Sequence, residues 1–479
     1  MAERQGASPV PRNWSRFSMI TSLTPFTVFQ ATSLALIMPM TAHASMGLES
    51  SDVSGQIAEL RAEIAAMKQE NNKDWLTERR SAEIRGVVQD VLADADTRTS
   101  LQDSGATAGW KKGFFLSSPD GNFSLKVSGQ LQVRYVLNSR KGDQDLGPFN
   151  PANTLYGFEN RRTKLSFSGN VFDKSWTYKI KGAFSRAGGA FVLEDAYVQK
   201  KLEGGLAIKV GQFKAPWMRE ELVSSSKQLT VERSIVNEYF NQGYSQGIQL
   251  GYEADSFRAW VWTGDGIGSR GFGPGRANSK DTNWDRTPTN YSFAGRAEYK
   301  ISGDWSQFKD FSSKQGSGSG MMVGLSAVTQ RANKNLGANA DGTKVYGVTG
   351  DLTWDMSGAS LFVSGVWTNV DSPNAGGDSN PWGVTIQGGY FVTESMEAFV
   401  RYEYMDFDPT LLTNVAKYDG FTVGGNWFIN SSVKFSADFS YNFASLAAGA
   451  FVASSAGFRT DEPGEDGQWA VRAQLQLLF

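Results

Sequence analysis

From residue 123 to the end of the chain, apolar and polar residues alternate with a period of two. Phe123, Leu125, Val127, Leu131, Val133, Tyr135 and Leu137 are interleaved with Ser124, Lys126, Ser128, Gln130, Gln132 and Arg134. Successive side chains of a strand point to opposite faces, so one face of this segment suits lipid and the other suits water. The same reading predicts sixteen strands, near 123–138, 159–171, 174–186, 191–202, 205–215, 244–254, 256–265, 291–302, 319–331, 343–354, 359–370, 382–392, 396–407, 418–429, 431–444 and 467–479. The number is even, as is usual for single-chain bacterial barrels.

The connections support this count. Short turns at Asp173-Lys174, Glu203-Gly204, Asp255, Thr393 to Ser395 and Asn430-Ser431 alternate with longer segments at 139–158, 216–243, 266–290, 371–381 and 445–466. Short periplasmic turns alternating with long outer loops are what a transmembrane barrel shows. Two connections fit less well: 303–318 is long for a turn and 187–190 is short for an outer loop. They set a margin of about two strands on the count. In the last strand Trp469, Val471, Ala473, Leu475, Leu477 and Phe479 share one face while Ala470, Arg472, Gln474 and Gln476 share the other. Pairing that strand with the first removes every free edge from lipid. A soluble sandwich or propeller is the competing architecture, but no blade-sized repeat is present and the alternation persists. Aromatics near strand ends, among them Phe158, Phe172, Trp176, Tyr252, Tyr299, Trp354, Tyr390, Tyr402 and Trp427, fit two interfacial girdles.

Upstream the period changes. Ile57, Leu60, Ile64 and Met67 fall at the a and d positions of two heptads, and Ile84, Val87, Val88, Val91 and Leu92 form a 3.6-type stripe. Residues 45–103 are therefore expected to form a periplasmic helical segment, either a short coiled coil that helps oligomerise the barrels or an amphipathic spacer. At the N-terminus Arg4, Arg12 and Arg16 precede an apolar stretch from Pro25 to Met40 and the small-residue pattern Ala42-His43-Ala44. Residues 1–44 read as an export signal cleaved after Ala44, with the barrel unit spanning 104–479.

Composition narrows the chemistry. Mean hydropathy is −0.35, which excludes a helical membrane bundle, whose spans each need about 20 apolar residues. The chain has no cysteine, and its one histidine, His43, lies in the expected signal. Ser-His and Cys-His nucleophiles, histidine bases and nearly all zinc or haem sites need those side chains. The expectation is a protein that is not an enzyme, with no catalytic residues, no metal, no cofactor and no nucleic-acid partner.

Charge is segregated. Net charge is −2, or −4 without residues 1–44, yet between Arg161 and Arg233 there are fourteen Lys or Arg against seven Asp or Glu, a local balance of +7. Alternation turns Arg134, Arg162, Lys164, Lys179, Lys181, Lys209 and, less cleanly, Arg296 toward the lumen, where such a stripe concentrates anions. Lumen cations also pair with lumen carboxylates such as Asp195, Glu298 and Glu403, and for a single residue that is the ordinary role. The segment after the fifth strand, from Pro216 through Arg219, Ser224-Ser225-Ser226-Lys227 and Glu232-Arg233-Ser234, is too long and too charged for a simple outer loop. It reads as a loop folded inward to narrow the pore, with Lys227 and the hydroxyls of Ser225 and Ser226 able to donate to an anion.

The run Phe158-Glu159-Asn160-Arg161-Arg162-Thr163-Lys164-Leu165, then Leu193-Glu194-Asp195-Ala196-Tyr197-Val198, then Val210-Gly211-Gln212-Phe213-Lys214-Ala215-Pro216, then Ser225-Ser226-Lys227 and Val231-Glu232-Arg233-Ser234 resembles the phosphate-selective porin O/P family. The resemblance covers about residues 110–255 well. It implies a homotrimeric, sixteen-stranded outer-membrane channel of a Gram-negative-type cell whose third loop enters the lumen. Anion-binding roles would fall on Lys227, Arg161, Arg162 and Asp195, with Arg161 at the rim or outward by the strand alternation. The arginine ladder of the family is not legible in the later strands, where cations are sparse. The expected function is passive diffusion of small anions, phosphate or polyphosphate first. The alternatives are a general or sugar-permeable pore, or a structural barrel that tethers outer membrane to cell wall through the helical segment.

Overall fold

A computed structural model describes residues 55, 58–66, 86, 105–142, 153–186, 188–277, 280–286, 288–333, 342–373, 377–408, 417–446, 454–462 and 464–479. Among these, sixteen long strands form the wall: β1 (Ser124–Ser139), β2 (Thr154–Val171), β3 (Asp173–Phe184), β4 (Phe191–Lys201), β5 (Leu206–Phe213), β6 (Ser245–Glu253), β7 (Phe257–Gly264), β8 (Thr289–Ser302), β9 (Ser319–Ala332), β10 (Lys344–Met356), β11 (Ala359–Ser372), β12 (Trp382–Phe391), β13 (Met396–Asp406), β14 (Lys417–Phe428), β15 (Val433–Asn442) and β16 (Trp469–Leu478). Each pairs antiparallel with the next, and β16 pairs back onto β1 with Leu477 opposite Leu131 and Trp469 opposite Ser139. Phe479 completes the seam, exchanging backbone hydrogen bonds of 2.6 and 3.1 Å with Gly129. The barrel is closed and sixteen-stranded, as the alternation predicts.

The outward positions are apolar and exposed, as lipid requires: Ile180, Val198, Val210, Ile248, Leu325, Val400 and Leu475 among them. Short turns carry their own capping. Asn430 Oδ1 accepts from the backbone N–H of Ser432 and of Val433, each at 2.8 Å, and Asp173 Oδ1 accepts from Ser175 N–H at 2.6 Å.

Three differences from the sequence reading have physical causes. First, β2 begins at Thr154 rather than near 159, because the outward rings of Tyr156 and Phe158 lie against Tyr135 on β1, with centroids 6.4 and 5.0 Å away. Second, short strands appear at Thr107–Trp110, Phe114–Ser117 and Gly377–Ser379. The first two form a hairpin that continues the sheet beside the start of β1, with Phe114 opposite Val127. Third, the long connection 303–318 folds into the barrel, burying Phe308 and Phe311.

Residues 58–66 are helical and exposed, and include Leu60 and Ile64 of the predicted heptads. Ile57, Met67, the stripe from Ile84 to Leu92 and the signal segment 1–44 lie outside the described residues.

Candidate permeation site

The segment 214–244 between β5 and β6 is the third outer loop, and it lies inside the barrel. It carries two short helices, α1 (Arg219–Leu222) and α2 (Ile235–Phe240). Ser234 caps α2 by accepting from Asn237 N–H at 2.9 Å, and its backbone N–H donates to Glu220 at 2.7 Å. Trp217, Val236 and Phe240 are fully buried in an apolar cluster with Phe272, Val345, Val366 and Met405. This is a core built in the lumen, between the loop and the far wall.

Charged side chains on the strands fasten the loop. Glu232 lies at the centre of three guanidiniums: Arg161 at 2.6 Å, Arg134 at 3.2 Å, and a close pair with Arg162. Burial works against its ionisation, but the arginines outweigh it and hold the carboxyl well below its usual range. On the opposite wall Arg401 donates to Thr230 Oγ1 at 2.5 Å and to the Glu232 carbonyl at 2.8 Å. Lys434 reaches the Gln228 carbonyl at 3.1 Å. Asp438 accepts from Val231 N–H at 3.1 Å and is gripped by Arg472 through two bonds of 2.7 and 2.9 Å. Arg296 grips Asp351 in the same fork geometry, at 2.8 and 2.9 Å.

Beside the loop lies a cavity of about 1410 Å³ bounded by β1–β5, the inner edge of the loop, the 303–318 turn and the short-turn ends of β14–β16. Among the described residues its lining contains thirteen Lys or Arg, among them Arg161, Arg162, Lys164, Lys179, Lys181, Lys209, Lys214 and Lys227, against six Asp or Glu. The sign of the passage is positive although the chain is net negative. The cations are held in fixed positions. Lys164 meets Glu194 at 2.6 Å, Lys179 meets Asp195 at 3.0 Å, and Lys181 meets both carboxylates at 3.0 Å. Lys209 rests 4.3 Å above the Phe213 ring.

Two β-bulges set the charge density of this wall. The β1–β2 register runs Gln132 opposite Arg162 and then Val133 opposite Asn160, so Arg161 is the extra residue. The β3–β4 register runs Lys181 opposite Asp195 and then Gly182 opposite Leu193, so Glu194 is the extra residue. A bulge puts two residues against one and re-aims a side chain, and here both members of each charged pair enter the lumen. This corrects the placement of Arg161 at the rim: it lines the cavity and bonds to the loop.

The remaining predicted residues separate into two groups. Lys227, Ser225, Ser226 and Arg233 line the cavity from the loop, Asp195 from the wall. Ser225 exchanges hydrogen bonds with Gln130 at 3.2 and 3.3 Å, and Arg233 pairs with Glu221 at 3.1 Å. Arg134 and Arg219, expected as pore cations, do not line it. Arg134 is sealed behind Glu232, and Arg219 points from α1 toward Glu298 and the Phe308 carbonyl, under the 303–318 turn. Sequence reasoning missed Glu194, Glu232 as the hub of the loop, and the fastening roles of Arg401 and Arg472. The signal for Glu194 was available. Two adjacent charges in an alternating strand force one toward lipid, at about 2–4 kcal/mol for a midplane cation and less for a carboxylate, unless a bulge turns it inward.

A closed antiparallel barrel with an apolar exterior, an inward loop and a charged aqueous cavity defines a transmembrane porin. The family model for phosphate-selective porins O and P matches residues 133–447, and the chain belongs to that family. Its place is accordingly the outer membrane, as a channel. Among solved structures it is similar to the anion-selective porin from Comamonas acidovorans, at 11% identity and a TM-score of 0.53 over 74% of this chain and 100% of that one. It is also similar to the outer-membrane channel DcaP of Acinetobacter baumannii, at 11% identity and a TM-score of 0.50 over 78% of this chain and 100% of that one. These likenesses concern the fold. No curated protein matches the chain.

Proposed function

We propose that the protein conducts small anions by passive diffusion, with phosphate or polyphosphate the favoured solutes, through the basic cavity beside its third loop. The observation that carries this reading is the thirteen-to-six excess of cations lining a cavity in a chain whose overall charge is negative. Low-dielectric walls focus such a field and raise the local concentration of anions. Arg161, Arg162, Lys164, Lys179, Lys181 and Lys209 form one side of the path and Lys227 with Ser225 and Ser226 the other. Conduction needs binding weak enough to release the ion, and the carboxylates of Glu194 and Asp195 moderate the wall in that way.

The organisation that accompanies this function is a homotrimer in outer-membrane lipid. Residues 1–44 are removed on export, and residues 45–103 form a periplasmic segment that oligomerises the barrels or reaches the cell wall. The test is single-channel recording in chloride with and without phosphate, for the native protein and for Lys227→Glu. Anion-directed reversal potentials that weaken in Lys227→Glu are expected, and cation preference in the native channel would falsify the reading.

A further inference from the structure

The loop is not alone in the lumen. The β8–β9 connection, residues 303–318, turns back at Gly303, whose φ of +82° suits glycine, and enters from the side of the short turns. Phe311 is buried with Val223 and Leu229 of the loop and with Phe362 and Phe399 of the wall. Its backbone N–H donates to the Lys227 carbonyl at 3.2 Å. Ser312 donates to Glu397 at 2.8 Å, and the Arg219 guanidinium donates to the Phe308 carbonyl. Two inward segments from opposite mouths therefore meet beside Lys227 and are fixed there by packing and hydrogen bonds.

The contact places a carboxylate on a loop cation that lines the passage. Asp310 Oδ2 lies 3.2 Å from Lys227 Nζ, and both residues line the cavity. The Asp310 and Lys227 side chains are 35% and 42% exposed, whereas those of Lys164 and Glu194 are 14% and 11% exposed. Water reaches the Lys227–Asp310 pair from the cavity. Exposed ion pairs are weak, so this one opens readily. The ammonium has three donors, and carboxylate and phosphate oxygens are alike in accepting from them.

We propose that Asp310 is a resident competitor at Lys227: a tethered carboxylate that a permeating oxyanion displaces, so that the 303–318 turn shares in setting how tightly anions are held and which of them pass. The inference rests on the anion-conducting reading above. A doubly charged phosphate displaces the carboxylate more readily than chloride does, and on leaving it is replaced by Asp310, which shortens its stay.

The experiment is block of chloride current by inorganic phosphate in planar bilayers, for the native protein, Asp310→Asn, Lys227→Gln and the double variant. Asp310→Asn is expected to lower the half-blocking phosphate concentration by about two- to five-fold, the scale of a partly exposed ion pair. In the Lys227→Gln background the same change should have no effect. Asp310→Ser, run in parallel, should reproduce the Asp310→Asn shift if the lost carboxylate is the cause. No shift in the native background, an equal shift in both backgrounds, or disagreement between the Asn and Ser variants overturns the proposal. An anion-selective native channel indifferent to Asp310 removes this inference alone; a cation-selective native channel removes the reading beneath it as well.

Discussion

The wall β1–β5 and the wall β8–β16 have the same architecture and use the same side chains to opposite ends. On β8–β16 the loop covers much of the lumen-facing surface, and Arg296, Arg401 and Arg472 are buried in fork-like pairs or bonded to loop carbonyls. On β2–β5 Lys164, Lys179, Lys181 and Lys209 face open volume. Alternation alone makes both sets look like pore cations. What separates them is which wall the loop leans on, and that is decided by apolar packing of Trp217, Val236 and Phe240 against the far wall. A lumen arginine covered by the loop is a fastener, and one left uncovered is part of the path.

Glu232 is the point where the two walls are tied together, so its loss should have the largest effect. Glu232→Ala leaves Arg134, Arg161 and Arg162 facing one another without their shared carboxylate. Removing one partner of a single buried pair costs about 3–5 kcal/mol, and three cations depend on this one. The barrel wall does not, so its strands should persist while the loop undocks. Trypsin should then cut the folded protein after Arg219, Lys227 or Arg233, sites it leaves intact in the native protein; a loop that stays resistant refutes the role.

The next prediction separates fastening from conduction. Arg472→Met breaks the buried pair with Asp438, the carboxylate that accepts from Val231 of the loop; breaking such a pair costs about 3–5 kcal/mol, of which loop docking should lose a part, read as earlier thermal loss of protease resistance. Where the loop remains docked, the ion preference should be that of the native protein, because Arg472 does not line the cavity. Lys181→Gln should do the reverse. It leaves Glu194 and Asp195 less neutralised, so the anion-to-cation permeability ratio should fall by about two- to five-fold, the scale of one partly exposed charge. Docking should be unchanged. If both variants alter both readouts, the two walls do not divide the work.

Much of this division was legible in the chain and part was not. The strands follow from period-two alternation, and a closed barrel follows because lipid tolerates no free edge. The inward loop was visible because 216–243 is dense in charge for a segment that would otherwise sit in solvent. Arg161 was misplaced because alternation assumes an unbroken ladder, and a one-residue bulge shifts the facing of its neighbours. Arg134 was misassigned for a different reason: facing is local, whereas cover is tertiary, and nothing near Arg134 in sequence announces Glu232, 98 residues away. The long 303–318 connection looked like a flaw in the count. It is the segment that brings Asp310 to Lys227.

The smallest expected effect tests how far the loop's own acids tune the passage. Glu221 and Glu232 are alike in sign. Burial opposes their ionisation, but Arg233 and Lys214 bring Glu221 down to about 2, and Glu232 is held lower than its ordinary 4.5 by Arg161, Arg162 and Arg134. A depressed carboxyl gives stability that is present above its unfolded value and lost only as pH falls toward its folded one. Neither carboxyl should therefore weaken loop docking between neutral pH and about 4.5. Glu238, which also lines the cavity, has the opposite sign: burial raises its carboxyl, Glu232 and Glu221 raise it further, and Arg233 and Arg161 offset this only in part. It takes up its proton before the other two as pH falls, and one negative charge then leaves the passage while the loop stays in place. The anion preference should rise as pH falls toward the ordinary carboxylate range. Glu238→Gln should start higher and rise less over that fall, measured as reversal potential in a fixed salt gradient. If native protein and variant show the same slope, some other group is responsible, and the loop's carboxylates serve only to hold it against the wall.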